Sequence, residues 1–211
     1  MKVFSLEMSA DQLLRRSFAT ESGVRAFCLR NPKLMTQTEM DRVRQVAGEM
    51  VESGLPLLID DSPSVTLTEL LARCRLAVKH DKAELIIVDH AALVEASGDN
   101  TAQQMTGVGR ALRAFSKREH VPTVLLTHLN TPEGHDPNAK PTMFDLKYAK
   151  DLARDAHVVL LLHRPEEEGI PTGNDEIIIG KMREGQRGSI KVCFDERRME
   201  FMERLASRSK R

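Results

Sequence analysis

Glu7, Asp60, Asp61, Asp89 and His128 each stand at or just past the carboxyl end of a short apolar run. If those runs are parallel strands, the side chains share the end of a sheet at which open α/β folds collect their ligands. Leu85-Ile86-Ile87-Val88-Asp89 has the Walker-B form, an apolar strand closed by a carboxylate that holds Mg2+ through water. The same spelling also describes an ordinary strand running into a turn. On a neighbouring strand end Glu7 is placed to polarise an attacking water, and His128 to sense a terminal phosphate. Asp60, Asp61 and Asp89 would alternatively serve a metal-dependent hydrolase, but the spacing of His, Cys and acidic residues shows no metal-ligand set beside them.

The elements that must position these groups alternate along the chain. Residues 2–6 read as a strand, followed by a helix over 9–21 with Ser9 as N-cap. Thr36-Gln37-Thr38-Glu39 and Thr66-Leu67-Thr68-Glu69 are capping boxes that announce helices at about 37–53 and 67–80. Apolar strands are expected at 56–59, 84–89, 123–127 and 157–162, with helices over about 101–119 and 144–153. Segments 176–181, 189–194 and 199–202 are separated by Gly-rich turns and should be antiparallel. Together these predict an α/β fold: a mostly parallel sheet with helices on both faces and a C-terminal antiparallel extension. Residues 1–205 are expected to form a single domain, followed by a basic tail at 206–211.

Composition narrows the class. The chain is 41% hydrophobic and 29% charged, which excludes a disordered tail, a fibre or a disulfide miniprotein. Its 31 basic and 31 acidic residues cancel, so whole-chain charge does not mark a nucleic-acid binder. The last 31 residues nevertheless hold 10 basic and 5 acidic side chains, a mild bias able to face phosphate or solvent. Three widely spaced cysteines predict a reducing, cytoplasmic setting. No apolar run approaches the roughly 18 residues that span a bilayer, so no membrane association is expected.

The order of motifs closely resembles the motor domain of hexameric replicative DNA helicases of the DnaB family. Phe4-Ser5-Leu6-Glu7-Met8-Ser9 is similar to the segment that follows that family's P-loop, and Leu85–Leu93 to its Walker B, usually closed by Asp-Tyr-Leu-Gln-Leu. Residues 122–130 resemble the strand ending in Ser-Gln-Leu-Asn, and 141–155 the Asp-Leu-Arg-Glu-Ser-Gly loop. Residues 176–188 resemble the segment Glu-Ile-Ile-Ile-Ala-Lys-Gln-Arg-Asn-Gly. The resemblance runs from residue 3 to about 195 and implies a RecA-like P-loop NTPase core. It implies ATP and Mg2+ as cofactors, with Glu7 as the catalytic glutamate, Asp89 as the magnesium-binding aspartate and His128 beside them. It implies further that Lys181 and Arg183 form a finger reaching the γ-phosphate held by the neighbouring subunit. Two cations two residues apart on a strand share a face, which suits a clamp on one phosphate. Arg16 aligns with an arginine of the helix after the glutamate, with a salt-bridge role equally open. Lys147, Tyr148 and Lys150 fall in the family's loop that touches single-stranded DNA, by charge and by stacking on a base; the same residues would also suit the start of an amphipathic helix. Implied partners are single-stranded DNA, other subunits of a helicase ring and a helicase loader.

The pattern is also broken. No Gly-x-x-x-x-Gly-Lys-Ser/Thr occurs among the 211 residues, and in the family that motif lies on a central strand and helix. Unpaired strand edges and an apolar gap are therefore expected. His128 stands for the family's glutamine, His90 for tyrosine, Lys147 for arginine, Tyr148-Ala149-Lys150 for Glu-Ser-Gly, and His157 for aspartate. Two functions follow: part of an ATP-dependent helicase motor, or an ATPase-inactive truncated paralogue of prophage or plasmid type that modulates a helicase ring.

Overall fold

The computed structural model describes residues 1–54, 56–129, 136, 138–146 and 150–204. It opens with strand β1 (Lys2–Ser5), helices α1 (Ala10–Ser22), α2 (Ala26–Arg30) and α3 (Gln37–Glu52), then strands β2 (Leu58–Asp60) and β3 (Val65–Thr66). Helix α4 (Leu67–Lys79), strands β4 (Ile86–Asp89) and β5 (Val94–Glu95), helix α5 (Thr101–Glu119) and strand β6 (Thr123–Leu125) follow. The last third contains α6 (Lys150–Asp155), β7 (Val158–His163), β8 (Glu166–Glu167), β9 (Ile170–Pro171), β10 (Asp175–Met182), β11 (Gly188–Asp195) and β12 (Glu200–Glu203).

The helix starts follow from local chemistry. Ser9 with Gln12, Thr36 with Glu39 and Thr66 with Glu69 each close a reciprocal capping box that satisfies otherwise orphaned amides. Asn100 caps α5 by accepting from the Gln103 amide.

The strands form two separate four-stranded sheets. The first is parallel with order β2-β1-β4-β6, and the second antiparallel with order β12-β11-β10-β7. Helix α5 serves both cores. Val108, Leu112 and Phe115 pack with Phe4, Ile86, Val88 and Leu70 over the parallel sheet, while Met105 joins Ala91, Leu146, Ala153, Val159 and Leu161. At Gly109 a Cβ would lie 1.9 Å from Leu152 Cδ1, so any larger residue on α5 here would force the Leu152 side chain to shift.

The expected open edges are present. Among the described residues β6 pairs only with β4, and β7 only with β10. Residues along β7 alternate strictly, with Val159, Leu161 and His163 buried and Val158, Leu160 and Leu162 exposed. Val124 and Leu126, on and just past β6, are exposed as well. An apolar face and two unpaired strand edges thus flank the break between the sheets.

Three elements depart from expectation. The helix expected over 144–153 is divided into a 3-10 turn at Met143–Asp145, capped by Thr142, and α6. Leu146 accounts for the division: it leaves the helical path to bridge Leu129 and bury itself beside Met105. Helix α2 and the short pairs β3–β5 and β8–β9 carry too few residues to show a period. The basic tail at 206–211 lies outside the described residues.

Candidate functional site

Strands β1 and β4 run side by side with Ser5 opposite Asp89. Past β1 the chain turns, with Ser5 Oγ donating to the Met8 carbonyl at 2.6 Å and the Leu6 amide donating to the Asp89 carbonyl at 2.7 Å. That turn carries Glu7 over the end of β4. The Asp89–His90 peptide is cis, and His90 is buried with its Nδ1 accepting from the Ala92 amide at 3.3 Å. His128 follows β6, the next strand over, and its ring lies 4.3 Å from that of His90 at a 42° tilt. Glu7 Oε2 is 3.6 Å from His90 Nε2 and 3.5 Å from His128 Nε2.

Three adjacent strand ends therefore deliver one carboxylate and two imidazoles to one point, with Asp89 beside them. Burial, then the neighbouring His128 ring, pushes the pKa of His90 below its ordinary value, against the opposing pull of Glu7 and Asp89. His90 is accordingly neutral at pH 7. Glu7 and His128 keep about half or more of their side-chain surface in solvent, so the cluster is open on one side.

Asp60 and Asp61 are engaged elsewhere. Asp60 accepts from Arg73 Nη1 at 3.0 Å and from Ser62 Oγ at 2.7 Å, with Lys2 Nζ at 3.7 Å. Burial pushes its carboxyl up, yet Ser62 and Arg73 together hold it below the usual carboxylate range. Asp61 Oδ2 accepts from the Ala10 amide at 2.9 Å, at the start of α1. Both acids serve the parallel sheet and its first helix, and the hydrolase reading that needed them lapses.

Lys181 and Arg183 do lie on one side of the chain at the end of β10. Lys181 Nζ donates to the carbonyls of Ala153 and Arg154 at 2.9 and 2.6 Å, and Arg183 Nη2 lies 3.5 Å from that of Asp155. The pair caps the C-terminus of α6, where the helix dipole favours cations. Burial and the neighbouring Arg183 lower the Lys181 pKa. Asp155 also binds Arg113 at 2.9 Å, with Arg110 at 3.8 Å. Arg16 is exposed on α1. Lys147 and Tyr148 lie outside the described residues, and Lys150 opens α6.

His90 is the residue that sequence reasoning did not assign to the site. The available signal was an imidazole directly after a strand-end aspartate. Glu7, His90 and His128 are separated by dozens of residues and meet only because β1, β4 and β6 are adjacent.

The parallel sheet, with its acid and imidazole strand ends, and the antiparallel extension together define an α/β domain whose candidate site lies at the carboxyl ends of the parallel strands. A phosphate cradle of the Gly-x-x-x-x-Gly-Lys-Ser/Thr kind is not spelt in the 211 residues. The chain belongs to the DnaB-like helicase C-terminal domain family, whose model matches residues 1–203. It is 30% identical over 198 residues to the replicative DNA helicase DnaB of Geobacillus stearothermophilus, covering 91% of this chain and 43% of that protein. The DnaB of Pasteurella multocida is 32% identical over 198 residues, with 91% and 42% covered. The chain thus spans less than half the length of these relatives. Among solved structures, an ATPase domain superimposes with a TM-score of 0.84 at 20% identity, covering 96% of this chain and 73% of that one. A DnaB-like replicative helicase studied with primase superimposes with a TM-score of 0.83 at 20% identity, covering 95% and 49%.

Proposed function

We propose that this chain is part of an ATP-dependent replicative helicase motor that couples ATP hydrolysis at subunit interfaces to translocation on single-stranded DNA. The observation that carries the reading is the side-by-side placement of Glu7 and Asp89 at the ends of adjacent parallel strands, with His128 at the next. In this role Asp89 would hold Mg2+, and Glu7 accepts a hydrogen bond from the attacking water and orients it. Bound Mg2+ neutralises phosphate charge. Lys181 and Arg183 act on the ATP of the next subunit in a ring, and Arg16 contributes from α1. Lys147, Tyr148 and Lys150 touch the DNA, the two lysines by charge and the tyrosine by stacking. Residues 1–205 work as one motor domain in the cytoplasm, where a helicase loader places the ring on DNA. Among the described residues no helix is long and apolar enough to cross a membrane.

In this reading the strand that carries the phosphate loop pairs with β6 and β7, whose edges are open among the described residues. As the 211 residues stand, no ATP hydrolysis is expected. With a P-loop strand and helix supplied ahead of residue 1, DNA-stimulated hydrolysis is expected to appear, and Glu7→Gln to abolish it. DNA-stimulated turnover of the P-loop-bearing protein that survives Glu7→Gln would overturn the assignment of the glutamate. The second reading, an ATPase-inactive paralogue that binds a helicase ring, draws its support from the missing Gly-x-x-x-x-Gly-Lys-Ser/Thr and gains if the P-loop-bearing protein stays inert yet alters the turnover of an active ring.

A further inference from the structure

We propose that Glu7, His90 and His128 form a binding site for a divalent transition ion of the zinc class. The inference goes beyond the helicase reading and does not rest on it, since it concerns the donor set of this chain alone.

The geometry is that of a three-ligand site. One carboxylate oxygen and two imidazole nitrogens, one donor from each residue, all lie within 4.8 Å of one another. Glu7 Oε2 stands 3.5 and 3.6 Å from the two Nε2 atoms. Zinc bonds of about 2.0–2.1 Å at tetrahedral angles put ligand atoms about 3.3 Å apart. The carboxylate is within a few tenths of an ångström of that spacing from each imidazole, while the two imidazole donors, within 4.8 Å of one another, close by up to about 1.5 Å through movement of the exposed His128 ring. Two imidazoles and one carboxylate are a donor set suited to zinc, nickel or cobalt, and less suited to magnesium or calcium, which prefer all-oxygen shells.

Charge and access agree with this. His90 is buried at the end of β4, and Asp89 next to it adds negative charge. Glu7 and His128 face solvent, which provides an entry path and leaves a fourth position for water. The framework is fixed: His90 sits in the turn after β4, and Glu7 is carried by a turn hydrogen-bonded to the same strand end.

One contact opposes the site. His90 Nδ1 accepts from the Ala92 amide at 3.3 Å, so ligation through Nε2 moves the ring proton to Nδ1 and gives up that bond. Losing that bond and leaving the Ala92 amide without its acceptor weakens binding by roughly ten- to a hundredfold, less than three protein ligands supply. An ion here would also hold Glu7 away from a water.

The test uses cobalt(II) as a spectroscopic stand-in for zinc. The 211-residue chain is freed of metal with chelator and titrated with Co2+ at neutral pH. The expected result is saturable one-to-one binding with the intense visible d–d bands of a four- or five-coordinate site and no sulfur charge-transfer band. Added Zn2+ is expected to bleach the bands. His128→Gln and Glu7→Gln, both at exposed side chains, are expected to weaken binding at least tenfold while circular dichroism stays unchanged. Replacing Cys28, Cys74 and Cys193 by Ser is expected to leave the bands in place. The proposal is overturned by no saturation up to millimolar Co2+, by equal affinity in His128→Gln and Glu7→Gln, or by a spectrum that requires thiolate.

Discussion

Strand β7 offers a direct measure of what the break between the sheets leaves uncovered. Leu161 and Leu160 are adjacent in the chain but face opposite ways, one 3% exposed and the other 56%. Leu161 packs with Met105, Leu146 and Val159, so Leu161→Ala removes buried methyl groups and leaves a cavity. The cost is about 3–4 kcal/mol, within the usual range for a core leucine. Leu160 keeps over half its surface in water and has no cover to collapse, so Leu160→Ala costs only about 0.5–1 kcal/mol from the fraction it does bury. With a urea m-value of about 2 kcal/mol/M, the two midpoints should differ by roughly 1 M or more. Urea unfolding followed by far-UV circular dichroism on both variants reads this directly. In a P-loop-bearing version the added strand and helix cover Leu160, and the two substitutions should converge on similar costs. Equal destabilisation in the 211-residue chain would refute the reasoning, because the face bearing Leu160 would then be covered already.

Further outcomes follow from individual contacts. Asp60→Asn removes a charge-assisted bond to Arg73 and should lower stability at pH 7 by roughly 1–2 kcal/mol. Because folding depresses the Asp60 pKa, that contribution is present above the unfolded value of about 3.9 and disappears as pH falls through the folded value. The gap between thermal melts of the two proteins should therefore narrow as pH falls below about 4, and a gap that widens on acidification would count against the assignment. Gly109→Ala puts a methyl group against Leu152 Cδ1 and Cγ, and that overlap should outweigh the roughly 1 kcal/mol alanine gains over glycine inside a helix, for a net loss of about 1 kcal/mol; a raised melting temperature would show that Leu152 gives way freely. Lys181→Ala in a P-loop-bearing protein should leave nucleotide binding intact and abolish turnover, as read by fluorescent-nucleotide binding beside phosphate release. Retained turnover would reduce Lys181 to a cap of α6.

Much of the fold was legible because its cues are local. Ser9, Thr36 and Thr66 announce three helices through bonds made within four residues, and short apolar runs closed by acids mark the parallel strands. Those cues place Glu7, Asp89 and His128 at strand ends, and the ordered motifs identify the family. Local cues do not say which strand lies beside which. That β1 sits between β2 and β4, and β6 beyond β4, is decided by how apolar faces share one core. Only that arrangement brings His90 and His128 to the same carboxylate, and only it turns Asp60 inward to Arg73 and Lys2. Leu146 shows the same limit on a smaller scale, since its burial against Leu129 and Met105 breaks a helix that its neighbours would otherwise continue. Sequence by itself determined the elements and the chemistry each carries, because capping and periodicity act over a few residues. Tertiary structure alone decided which of those groups meet, because contacts between distant segments are set by burial of the whole sheet.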